Sequence, residues 1–410
     1  MVRLAFLALP ALVFTIVSAN PLLAQAEAPP DPKVGRKVEW EGWSFNWSVR
    51  VREGLVLTDV HYRGRKVLKF AGLMELFTVY DQGSPRPLDI NDGGLGARKL
   101  TIVPGLDCSS GESCKVFSAN GKDVKNNEPV QVMMHEEKTG PNYLGVFGRA
   151  PGKTLVLWMA SRFVGGNDGY TFIVRWKFRD DGTLIPEVGA TGVPQHLKTG
   201  DTSPTGAFIG LKGKEKVFAP SHVHNYLYRL DFAVDGDKNL VEEFNWEKEK
   251  EPSKDHIAKC TWTPLLKETG RTCNQETFRS WRVVNRQSKN FLGHPRSYHL
   301  IPGNTGVFRG GGTKFQGGAE AATQADLWVT LSKPNEFPRS KADARNSLEA
   351  IPKYVDGESV ENKELVVWYW LGSHHFPRSE DWVHQPVIWQ SFQLMPRDFL
   401  DGSPLLPVKN

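Results

Sequence analysis

The chain is predicted to be all-β, one large antiparallel β-sandwich with few short helices. Three observations predict it. From Trp43 to Val51 the odd positions are Trp, Phe, Trp, Val and Val, and the even ones Ser, Asn, Ser and Arg. That is the period-two alternation of a half-buried strand. Thirteen Trp, 39 Gly and 27 Pro in 410 residues suit many strands and tight turns rather than long helices. The best helix candidate, around Ser340 to Ile351, is short, and no internal repeat or low-complexity run suggests another architecture.

Taken in order, the chain opens as a secretory signal over residues 1–26. Arg3 supplies the positive start, Leu4 to Ala19 the apolar run, and Ala24-Gln25-Ala26 a small-residue cleavage site, with Val17-Ser18-Ala19 competing. The run contains Pro10 and is short for a membrane span, and no later apolar stretch could cross a bilayer. The expectation is export to a secreted or periplasmic location, with no membrane partner after signal removal. Residues 27–37, rich in Pro and charge, read as a disordered leader, and residues 38–410 as one domain.

Leu55 to Tyr62 and Lys66 to Phe70 flank Arg63-Gly64-Arg65 as a hairpin. Leu155 to Ser161 and Tyr170 to Phe178 read as strands, and Tyr170, Phe172, Val174, Trp176 and Phe178 share one face of the second. Asp180-Asp181-Gly182 makes the turn after it, and Asp235-Gly236-Asp237 closes a strand that starts at His222. Leu365 to Trp370 is a short, fully apolar strand. The 51 basic and 46 acidic residues are mixed along the chain, net +5, which excludes a nucleic-acid partner on charge grounds. Cys108, Cys114, Cys260 and Cys273 are even in number in an exported chain and show no CxxC spacing, so disulfides 108–114 and 260–273 are expected.

The chemistry centres on Ser221-His222-Val223-His224-Asn225-Tyr226. Side chains two apart on a strand share a face, so His222 and His224 project together with Tyr226, Tyr228, Leu230, Phe232 and Val234. Two imidazoles on an apolar face are costly to bury unless something engages them, and neutral imidazole suits copper, zinc, iron and nickel. A pair of hydrogen-bonded core histidines is the structural alternative.

Combined with other stretches, this segment resembles the catalytic domain of the copper-containing, quinone-dependent primary amine oxidases, over residues 38–410. The resemblance begins at Val38-Glu39-Trp40-Glu41-Gly42-Trp43-Ser44-Phe45 and continues through Arg52-Glu53-Gly54-Leu55-Val56-Leu57. It returns at Val367-Trp368-Tyr369 and in His375-Phe376-Pro377-Arg378-Ser379-Glu380-Asp381-Trp382. It implies the family's large β-sandwich and Cu(II) on His222, His224 and His375, the last selected over His374 by its spacing to Pro377-Arg378. Three histidines with open positions leave room for water and dioxygen.

The resemblance further implies a topaquinone made from Tyr170, counted back from Asp181-Gly182-Thr183 through Trp176. Gly169, Thr171 and Phe172 stand where the family has Asn, an acid and Tyr. A rival alignment keeps Asn167 as the family asparagine and puts Asp168 on the cofactor position, at the cost of a two-residue insertion before Trp176. Leu88-Asp89-Ile90-Asn91-Asp92-Gly93-Gly94-Leu95-Gly96 resembles the family's base segment, with Asp89 as the base that removes the substrate's Cα proton and Asp92 as its acidic neighbour. The family's peripheral calcium or manganese site uses Asp-x-Asp; here only Asp231 of Asp231-Phe232-Ala233 matches. Cys108 matches a family cysteine whose partner position is Met133, leaving Cys114 as the substitute. Family members are homodimers joined by hairpin arms, and residues between Ala190 and Ala219 have the place and turn-rich character of one arm.

The implied activity is oxidation of a small primary amine by O2 to an aldehyde, ammonia and hydrogen peroxide. One rival keeps the copper without the quinone, as a copper-binding chain or an oxidase of other chemistry. A second is an exported, Trp-rich binding module for a glycan or protein, which predicts no tightly held metal.

Overall fold

The computed structural model describes residues 35–81, 90, 93–108, 114–124, 129–146, 148–165, 168–198, 200–254, 256–303, 306–309, 319–336 and 351–405. The expected signal peptide and nearly all of the leader lie outside them, as do Asp89, Asp92 and residues 340–350 of the helix candidate. One helical turn is described at 351–354. Among the described residues no helix is long and apolar enough to cross a membrane.

The strands in chain order are β1 (Arg36–Trp40), β2 (Trp43–Arg50), β3 (Gly54–Tyr62), β4 (Arg65–Tyr80), β5 (Lys115–Phe117), β6 (Val132–Gly145) and β7 (Gly148–Gly165). Next come β8 (Asp168–Arg179), β9 (Leu184–Val193), β10 (Gly206–Lys212), β11 (Glu215–Pro220), β12 (His222–Phe232), β13 (Leu240–Lys248) and β14 (Ala258–Leu265). The last are β15 (Thr269–Arg271), β16 (Ser280–Lys289), β17 (Pro295–Ile301), β18 (Leu327–Leu331), β19 (Leu365–His375), β20 (Gln385–Ser391) and β21 (Gln393–Arg397). They build an eight-stranded sheet in the order β1-β2-β3-β4-β12-β19-β18-β15. An eleven-stranded sheet runs β14-β13-β16-β17-β21-β9-β8-β7-β6-β5, with β20 also on β9, and β10-β11 form a separate hairpin. The all-β antiparallel sandwich is the fold.

The sheets meet through aromatic side chains that the alternation assigns to the inner face. Phe45 of β2 stacks on Phe178 of β8 with centroids 4.0 Å apart, and Trp176 packs edge-on to Tyr228 at 6.0 Å. Trp43, Phe45, Trp47, Trp176 and Tyr228 are at most 1% exposed. Such rings dominate core energetics, and some find partners for their polar tips. Trp43 Nε1 donates to the Arg179 carbonyl at 2.7 Å and the Tyr62 hydroxyl to that of Asp180 at 2.7 Å. The turn they hold requires Gly182: its φ is +89°, and a Cβ there would lie 2.5 Å from the Tyr62 ring.

Two expectations are corrected. β1 starts at Arg36, so residues 36 and 37 of the expected leader pair with Trp47 and Asn46; burial of Val38 fixes that edge. The Cys108–Cys114 disulfide is present, but Cys260 and Cys273 are free. Cys260 is exposed on β14, at the edge of one sheet, while Cys273 follows β15 of the other sheet, its N–H on Asp326 Oδ2 at 2.6 Å. Their closeness in sequence is undone by the change of sheet between them. β12 is buried on both faces. Leu227 packs with Phe70, Trp368 and Trp370 in a second cluster behind the sheet, which is why β19 reads as continuously apolar.

Candidate active site

Register brings the candidate residues together. β12 lies between β4 and β19, placing Tyr80 and His375 opposite His222, and Thr78 and Ser373 opposite His224. Tyr170 enters from the facing sheet at the start of β8. The imidazoles are nearly inaccessible: His222 and His224 are 2% exposed and His375 4%. Of the adjacent pair at the end of β19, His375 turns into this cluster, while His374 is exposed and bonds Ser221 Oγ at 3.0 Å.

The hydrogen bonds assign the tautomers. His222 Nδ1 is 3.1 Å from the Pro220 carbonyl, which only accepts, so Nδ1 carries the proton and Nε2 a lone pair. His375 Nε2 donates to Asp381 Oδ2 at 2.8 Å, leaving a lone pair on Nδ1. These two bare nitrogens face each other at 3.3 Å. His224 bonds Thr78 Oγ1 through Nδ1 at 3.0 Å, and its Nε2 is buried with no hydrogen-bond partner. Its ring centroid lies 4.8 Å from that of His222.

Electrostatics keep the three rings neutral. Burial, then the neighbouring His375, lowers the His222 pKa to about 3. Burial and the adjacent His222 and His375 hold His224 well below the usual histidine range, and burial outweighs the pull of Asp381 to lower His375. Metal binding requires neutral imidazole.

The Tyr170 hydroxyl reaches into this group, 2.7 Å from His222 Nε2, 2.9 Å from His375 Nδ1 and 3.2 Å from Gln385 Oε1. Burial, reinforced by Tyr80, raises its pKa well above the ordinary tyrosine value. Its ring packs on Phe172 at 5.7 Å and edge-on to His224 at 5.0 Å. One phenolic proton cannot satisfy bare nitrogens on His222 and His375 together with the buried Nε2 of His224. A divalent cation answers the lone pairs of His222 and His375, and that of His224 Nε2 when Nδ1 donates to Thr78; three imidazoles with a phenol oxygen form a donor set that suits copper or zinc. The residues fit the metal.

Asp89 lies outside the described residues, and its described neighbours lie in the same core cluster as Tyr170. Ile90 is fully buried there with Leu95, and its N–H donates to Glu75 Oε1 at 2.9 Å. Gly93 sits so close to Phe163, which is paired with Tyr170 across β7 and β8, that a Cβ would lie 2.6 Å from that ring. Asp168 of the rival alignment is at the hairpin end of β8; the side chain among the histidines is that of Tyr170. Asp231 is gripped by Arg229 of its own strand at 2.7 and 3.0 Å. Glu268, Asp356 and Glu358 form a separate acidic group, which Lys333 approaches through Glu358 and, at 3.5 Å, Asp356.

Four contacts escaped sequence reasoning. Thr78 and Tyr80 are two apart at the end of β4, whose length was underestimated; Tyr80 lies 4.7 Å from His222, ring to ring. Asp381 belongs to the terminal motif without a role having been read for it. Gln385 carries no sequence signal.

Residues 34–410 match the family model described as the copper amine oxidase enzyme domain. The chain is 29% identical over 413 residues to a histamine oxidase of Arthrobacter globiformis, covering 94% of this chain and 59% of that protein. It is 30% identical over 423 residues to a copper-containing, peroxisomal diamine oxidase of Nicotiana tabacum, covering 94% of this chain and 52% of that one. It thus spans little more than half the length of these relatives. A copper-containing benzylamine oxidase from Hansenula polymorpha shares the fold with a TM-score of 0.77 at 24% identity, over 98% of this chain and 64% of that one.

Proposed function

Because the chain belongs to the copper amine oxidase family, we propose that it oxidises a small primary amine with O2 to an aldehyde, releasing ammonia and hydrogen peroxide. His222, His224 and His375 hold copper, Tyr170 is the precursor of the quinone, and Asp89 takes the substrate's Cα proton. The observation that carries this is the Tyr170 hydroxyl, 2.7 and 2.9 Å from two bare imidazole nitrogens. When bound, copper and quinone supply the carbonyl chemistry and the electron transfer to dioxygen. The chain contributes positioning. Pro220 and Asp381 fix the ring orientations of His222 and His375, and Phe172 and His224 wall the Tyr170 ring away from water.

The proposal extends to the whole protein: a signal peptide over residues 1–26, a catalytic domain over 38–410, and a secreted or periplasmic homodimer. The β10-β11 hairpin supports the arm assignment. It spans 206–220, ending one residue past the expected 190–219, stands outside both sheets and leaves Phe208 and Leu211 at least half exposed.

Peptide mass spectrometry on protein purified without copper, before and after aerobic Cu(II) addition, tests the function. The expected result is a copper-dependent mass gain on the Tyr170 peptide, with a visible colour trapped by phenylhydrazine. An unmodified Tyr170 in fully copper-loaded protein overturns it and favours a copper-binding chain without the quinone.

A further inference from the structure

We propose that Gln385 is the positioning residue for Tyr170, a reversible carboxamide that holds the phenol oxygen against the histidines both before and after a divalent cation binds. The inference rests on the proposal that His222, His224 and His375 hold copper beside Tyr170.

The geometry begins at Gly192 of β9. Tyr170 of β8 pairs with Gly192 on one side, and Gln385 of β20 pairs with it on the other. Gly192 has no side chain, so Gln385 reaches across it to the phenol. The Gln385 backbone is tied down by Thr191 Oγ1, which donates to its carbonyl at 2.7 Å. The residue is 3% exposed; Oε1 faces the phenol at 3.2 Å while Nε2 is buried without a partner.

Proton counting gives the role. The phenol has one proton, and His222 Nε2 and His375 Nδ1 both present lone pairs to its oxygen. Without a cation, the phenol O–H must point at an imidazole and donate to it. The phenol oxygen then needs a donor from Gln385, and a half-turn of the amide brings the unpartnered Nε2 to it without moving other atoms. With a cation on the histidine nitrogens, the imidazoles no longer accept, and a phenol that keeps its proton turns it to Oε1, which lies 3.2 Å from the phenol oxygen. A carboxamide can donate or accept from one place, according to which of its two ends faces the phenol. Leucine and methionine fill similar space and do neither.

Crystals of the wild-type protein and Q385L, each metal-free and Zn(II)-loaded, test this without quinone chemistry, and Q385M replaces Q385L if the latter fails to fold. In the wild type the Tyr170 oxygen should keep its place in both forms. In the variant it should leave that place, or split between two positions, in at least one form. A Tyr170 ring held in place in both forms of the variant overturns the proposal. Where wild-type Tyr170 gains mass with copper, the variant should convert about tenfold more slowly at equal copper content, as loss of one buried hydrogen bond implies; a wild-type rate overturns it too. If wild-type Tyr170 gains no mass, the quinone function fails, and the zinc crystals still decide the role of Gln385.

Discussion

Asp381 shows how much one carboxylate decides at this site. It is 1% exposed, and its Oδ2 accepts both His375 Nε2–H at 2.8 Å and the Arg378 N–H at 2.9 Å. The first bond turns the lone pair of His375 toward His222, and the second holds the terminal motif around it. Asp381→Ala should therefore lower Zn(II) affinity about 10–100-fold, the usual effect of losing a partner behind a ligand. Competition titration against a chelator measures it, and wild-type affinity in the variant would show that His375 is oriented by something else. At this scale the histidines were legible, because strand periodicity alone puts His222 and His224 on one face. Tyr170 and His375 were reached only through the resemblance, by counting along the family's motifs from Asp181-Gly182-Thr183 and from Pro377-Arg378. Gln385 was not: its place depends on two strands distant in sequence pairing with the same glycine, and no local pattern encodes that.

At the scale of elements, period-two alternation located β2, β8 and the start of β12, and the Arg63-Gly64 turn between β3 and β4 has both residues at positive φ as a tight hairpin requires. What alternation missed were strands buried on both sides and pairings that join distant segments, including the separation of Cys260 from Cys273. The β16-β17-β21 ladder carries a titration of its own. His299 on β17 is cross-strand from Arg282 and near Arg397; burial, then these two cations, lowers its pKa to about 4. A lowered histidine pKa means that the unfolded chain binds a proton that the folded one refuses. Stability is thus complete above about pH 6.5 and falls as pH drops toward 4. Between pH 7 and 5.5 His299 should cost about 1 kcal/mol, since each pH unit below the unfolded pKa costs about 1.4 kcal/mol per proton. Urea unfolding at the two pH values should show His299→Gln losing less stability than the wild type by that amount; identical pH dependence would rule the account out.

Across the whole molecule, the site belongs to neither sheet. The histidines come from β12 and β19 of one, and Tyr170 and Gln385 from β8 and β20 on the other, so the packing between the sheets sets the distance from phenol to imidazole. Two phenylalanines of β8 separate local from global effects. Phe178 stacks on Phe45 at 4.0 Å and lies eight residues from Tyr170, about 26 Å along an extended strand. Phe172 touches the Tyr170 and His224 rings, at centroid distances of 5.7 and 5.5 Å. Both are at most 1% exposed, so either change to alanine should cost about 3–5 kcal/mol of stability. Phe178→Ala should leave Zn(II) affinity within about threefold of wild type, because sites this far apart are nearly independent. Phe172→Ala should weaken it further, since the cavity opens beside His224. Denaturant unfolding combined with zinc titration reads both quantities. Equal loss of zinc affinity in the two variants would mean that the sheets move as one unit and that the site senses any loosening between them.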